Sequence, residues 1–142
     1  MVICCRREAD RCLAKAFCRN ARAFHGMAQD HRDLFSRASA YHLAITIELG
    51  LKAYLLHCGF TDQWNREHLR HDLVKTLKCV RRAGLKDIPE GIRELTIVLG
   101  PPYASGALSR RLTDPILPLP PDATDLAISD LLATVEAIVG QR

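Results

Sequence analysis

Aromatic residues are scarce in this chain, 6% of 142 residues, so aliphatic side chains have to supply most of any core. No two cysteines have the CxxC spacing. Cys4, Cys5, Cys12, Cys18, Cys58 and Cys79 fall mostly inside helical patterns, which reads as free thiols in a reducing cytoplasm and not as a disulfide framework. Long apolar runs are absent too. The best of them, Leu43 to Cys58, is interrupted by Glu48 and Lys52 and falls short of the roughly 18 to 20 apolar residues a membrane span requires. Near the start, Arg6, Arg7, Glu8 and Asp10 break any leader-like apolar stretch, so a soluble, cytoplasmic protein is expected. The eight glycines are all isolated, which excludes a phosphate-cradling glycine loop, and no cofactor is expected. No segment alternates strongly enough to be a strand.

What is present is helical periodicity almost throughout. Apolar residues make up 48% of the chain, enough for one ordinary domain over residues 1–142. A first helix is expected from about Arg7 to Met27, with Leu13, Ala16, Phe17 and Phe24 on one side. A second should run from an N-cap at Ser36 to Gly59. It is apolar around most of its circumference and therefore central, and Gly50 marks a place where another helix comes close. A third opens at Asp72 and closes at Gly84, with Leu73, Leu77 and Val80 inward. A fourth lies between Pro89 and Gly100, and a last from Asp122 or Ala123 to Val139. Between them, residues 101–121 read as a long proline-rich loop available to a partner. The expected fold is all-α, a five-helix up-and-down bundle.

The net charge of +4 permits a nucleic-acid partner without requiring one. Its distribution is more telling. Seven Lys and Arg lie between Arg66 and Lys86 against Glu67 and Asp72, whereas Asp114 to Arg142 holds five acids against one base. The exposed side of the third helix, Lys75, Lys78, Arg81 and Arg82, is the expected contact for nucleic acid or phosphate. Two complementary faces of a dimer are one reading of this asymmetry. Solvated surface is the other.

Glu48 and Lys52, four residues apart in an otherwise apolar helix, need partners to be buried. His71 and Asp72, at the next helix start, are the expected ones, giving a polar network of Glu48, Lys52, His71 and Asp72. The stretch HLAITIELGLKAYLL, a glycine-ended turn and then HDLVKTL resembles the HEPN family (higher eukaryotes and prokaryotes nucleotide-binding domains). That resemblance implies a helical bundle and two function classes. One is an accessory or interaction module, dimeric through its first two helices or beside a protein such as a nucleotidyltransferase-like antitoxin, with RNA or nucleotide as a further contact. The alternative is a metal-independent endoribonuclease, the toxin of a toxin–antitoxin pair.

Catalytic members of that family use an Arg followed after four to six residues by a His. The chemistry is sound, since imidazole moves protons near neutral pH and guanidinium holds a phosphate. Here Arg66 and His71 have the spacing, as do Arg37 and His42, and Arg19 and His25. With fifteen Arg and six His, chance placement gives roughly two such matches, so position must decide. The family resemblance places the catalytic motif late in the bundle, yet no His follows Gly84. Arg66 and His71 are therefore the candidate catalytic pair of a chain whose first expectation is an accessory role. His57, Cys58, His68, His71 and Cys79 match no closed zinc-ligand spacing, so no metal is expected. Tyr103, Arg110 and Arg111 are placed in the long loop, where a solvated role outweighs contact with a phosphate or base.

Overall fold

The computed structural model describes residues 2–30 and 37–140. Among these residues there are six helices and no strand: α1 (Val2–Asp30), α2 (Arg37–His57), α3 (Asp62–His68), α4 (Leu73–Arg82), α5 (Ile92–Ala104) and α6 (Pro121–Val139). The protein is all-α. Among the described residues no helix is long and apolar enough to cross a membrane. The expected N-cap of α2, Ser36, lies outside the described residues.

Small residues set how α1 meets α2. Ala14, Cys18, Ala21, His25 and Ala28 recur at alternating four- and three-residue steps and are all buried, as are Ala40, Ala44, Ile47 and Leu51 on α2. Short side chains at these positions let the two backbones approach closely. Ser39 Oγ donates to the Ala28 carbonyl at 3.1 Å, and the Phe24 and His42 rings lie 5.8 Å apart, so the helices are antiparallel. The bulkier Leu13 and Phe17, expected to form the inward stripe, only flank the core.

α2 is central, as its composition demands. Glycine permits a close approach at position 50, where an added Cβ would sit 2.9 Å from Leu132 of α6. Leu43, Ile47, Leu51, Leu55 and Leu56 are at most 4% exposed. A single chain thus covers almost all of this apolar helix. α1, α4, α5 and α6 all pack on it, and Met27 is the one large apolar side chain of the described parts of α1 and α2 left exposed. The other exposed ones, Ile97, Leu112, Ile116 and Leu126, lie on α5, the loop and α6.

A further helix, α3, occupies what reads in sequence as a polar linker. Thr61 caps it, its hydroxyl accepting from Trp64 N at 3.0 Å. The segment carries the chain back along α2, so that Glu48 meets His71 and Tyr54 meets Ala83, and α4 runs in the same direction as α2. The simple up-and-down order thus does not hold at this step. α4 has the expected limits: the Asp72 carboxylate accepts from Lys75 N at 3.0 Å, and Gly84 takes a left-handed φ of 114° after its end.

α5 does not stop at Gly100. It continues through Pro101 and Pro102 to Ala104. A proline normally forces its predecessor out of the helical region, but a glycine predecessor has no Cβ to strike the proline ring. The extra turn moves Tyr103 out of the loop and into the core, 8% exposed. Beyond it, the loop folds back on its own chain, with Leu117 and Leu119 packed against the core.

Candidate functional site

The two charges of α2 are buried. Glu48 and Lys52 are each 7% exposed and lie 3.6 Å apart across one helical turn. Two elements converge on them. From the turn before α4, His71 Nδ1 lies 2.9 Å from Glu48 Oε2. A carboxylate can only accept, so Nδ1 carries the proton and donates it. From the end of α5, the Tyr103 hydroxyl donates to Glu48 Oε1 at 3.1 Å. Lys52 Nζ donates to the Arg70 carbonyl at 2.5 Å. Both oxygens of Glu48 are therefore occupied, and Lys52 ties α2 to the α3–α4 turn.

Electrostatics follow from this burial. The Tyr103 hydroxyl is pushed far above the ordinary tyrosine range, first by desolvation and then by the charge and hydrogen bond of Glu48. It stays a donor at any physiological pH. Its ring meets His71 edge-on at 5.2 Å and Tyr41 at 6.0 Å. The His71 side chain remains 62% exposed, so the ring edge opposite Glu48 is open to solvent.

Of the four expected network residues, the structure brings Glu48, Lys52 and His71 together and leaves Asp72 out. The Asp72 carboxylate caps α4 instead. Arg66 and His71 have different partners. Arg66 Nη2 bonds Asp62 at 2.6 Å along its own helix, and no hydrogen bond joins it to His71. Lys75, Lys78, Arg81 and Arg82 are all exposed on α4. Arg110 turns back to the Ser105 carbonyl at 2.9 Å. Of the other Arg–His spacings, Arg19 is exposed while His25 is buried, and the Arg37 side chain lies outside the described residues. Among the described residues no three His, Cys, Asp or Glu converge in a metal-binding group.

Two features escape a reading of the sequence. Tyr103 is one, although its spacing continues the buried line Ile92, Leu95, Leu99. The other is a polar seam between α1 and α6. His25, 4% exposed, has its Nε2 3.2 Å from Asp125 Oδ1. Arg22 holds Glu136 with Nε at 3.1 Å and Nη2 at 2.6 Å, and reaches Ser129 Oγ at 3.1 Å. Beside it, burial and then Glu136 push the Cys18 thiol up to about 11, so it is inert as a nucleophile. Asp125 and Glu136 of the C-terminal region are thus engaged inside the chain. The available signal was polar residues at inward positions of α1, which call for partners.

Comparison with protein-family models, with curated proteins and with solved structures gives no match.

Proposed function

We propose that this chain is a HEPN-like accessory or interaction module that contacts RNA or nucleotide through the α3–α4 face and works as a homodimer or beside a protein partner. The observation that carries this reading is the exposure of every one of the seven Lys and Arg between Arg66 and Lys86. Four of them stand on one short helix, Lys75, Lys78, Arg81 and Arg82. Such a ridge suits the phosphates of a single strand, whose binding is driven by counterion release. On α3 the half-buried Trp64 ring lies 4.8 Å from both Phe60 and His68, an aromatic group for a base to meet. For the protein partner, the exposed apolar side chains of α5, the loop and α6 are better placed than α2, which its own chain covers.

The test is fluorescence anisotropy with a labelled oligouridine of about 12 nucleotides. The native chain should bind with a marked salt dependence. Replacing Lys75, Lys78, Arg81 and Arg82 together by Gln should weaken binding by about 100-fold at low salt and reduce the salt slope by about 3, from roughly 0.7 per lost phosphate contact. Equal binding by the two proteins, or none by the native chain, would refute the reading.

A second reading, the metal-independent endoribonuclease, draws on one observation. The Glu48 carboxylate orients His71 so that its Nε2 faces solvent as a proton acceptor. Against it stands Arg66, engaged with Asp62 and not with His71. Purified protein should leave RNA intact, and cleavage abolished by His71→Ala would put this reading first.

A further inference from the structure

The described backbone enters the left-handed region at six places. Four are glycines, at 59, 84, 91 and 106. The other two are arginines, Arg70 with φ 49° and Arg111 with φ 56°. Arginine is a poor choice for this conformation, because its Cβ crowds the following carbonyl and it has no short side-chain acceptor to compensate, as Asn or Asp has. After a helix the relaxed choice is glycine, and this chain makes that choice after α2 and α4. Position 70, after α3, is the exception.

Nothing inside the fold explains the exception. The Arg70 side chain is exposed, and it forms no hydrogen bond or ion pair with another described residue. Its backbone, by contrast, is held at three points. Arg70 N donates to the Asn65 carbonyl at 3.0 Å, its carbonyl accepts from the buried Lys52 Nζ, and the next residue is pinned to Glu48 through His71 Nδ1. Strain retained at an exposed position, over-determined by buried groups, marks a side chain used outside the fold. The nearby α4 N-terminus does not explain it either, since Asp72 already caps it.

We infer that Arg70 and the adjacent His71 form a preorganised phosphate clamp, with the guanidinium fork gripping two phosphate oxygens and His71, carrying a proton on both ring nitrogens when the anion is bound, donating from Nε2 while Nδ1 stays on Glu48. This rests on the α3–α4 face being the nucleic-acid contact and names the residues that fix the position of one phosphate on it. The lysines of α4 add attraction without geometry, whereas a planar fork on a held backbone selects an orientation.

Arg70→Gly tests the clamp because it relaxes the turn while removing the fork. The variant should melt no earlier than the native chain, yet bind the labelled oligouridine about 10-fold more weakly. Arg66→Gln, which removes one exposed charge on the same face, should weaken binding only about 2-fold. Arg70→Lys, which keeps the charge but not the fork, should recover part of the loss. ATP measured in parallel separates the two sources of phosphate: a loss confined to the oligonucleotide assigns an internal phosphodiester, and a loss for ATP as well assigns a terminal phosphate. If the native chain binds and Arg70→Gly binds equally well, or if Arg66→Gln costs as much, the clamp alone is overturned. If the native chain binds neither ligand, the α3–α4 reading and the clamp fall together.

Discussion

Replacing Glu48 by Leu should lower the free energy of unfolding by about 4 kcal/mol, measured by urea denaturation with an unchanged m-value. The substitution leaves the Lys52 ammonium buried beside an apolar side chain, and it strips the Tyr103 hydroxyl and His71 of their acceptor. Lys52→Met should cost about 3 kcal/mol, since Glu48 then keeps two donors but loses its countercharge while the Arg70 carbonyl loses its own donor. The double replacement should fall well short of the sum of the two, because apolar residues of similar volume in place of a buried pair are often near neutral. Adding Tyr103→Phe should recover more, by removing a buried hydroxyl left without an acceptor. A Glu48→Leu protein within about 1 kcal/mol of the native chain would mean that the network contributes nothing to holding α2, α4 and α5 together.

That network was partly legible in the sequence, for a physical reason. Two opposite charges at helical spacing in an apolar segment must be buried together, and a helix start carrying His71 supplies a nearby partner. The end of α2 and both limits of α4 were legible because Gly59, Asp72 and Gly84 do local chemistry that does not depend on the rest of the fold. Other parts lacked such local signals. α3 has only seven residues, too few for an apolar period to repeat, and only its Thr61 cap betrays it. The end of α5 was misplaced because Gly100-Pro101 reads as a stop, whereas the helix runs on through both prolines to Ala104. With that turn went Tyr103, the third partner of Glu48. The α1–α6 seam joins residues about a hundred positions apart, and no local pattern in either helix names its partner.

The loop after α5 offers the second large effect. Residues 101–121 read in sequence as a segment waiting for a partner, yet Leu119 docks against Gly91, the N-cap of α5. Gly91 has φ 94°, and a Cβ built there would lie 2.5 Å from Leu119 Cδ1. Gly91→Ala should therefore destabilise the protein through two separable causes. The left-handed backbone costs about 1 to 2 kcal/mol with any side chain, and displacing Leu119 adds about 1 to 2 kcal/mol of overpacking. A total near 3 kcal/mol is expected by denaturant titration. In a Leu119→Ala background the steric part has no object, so the same Gly91→Ala change should cost only the backbone part. The difference between the two backgrounds measures how firmly the loop is seated on its own domain. Identical costs in both would mean that Leu119 does not rest on Gly91 in solution, and the loop would again be free to serve as a partner-binding segment.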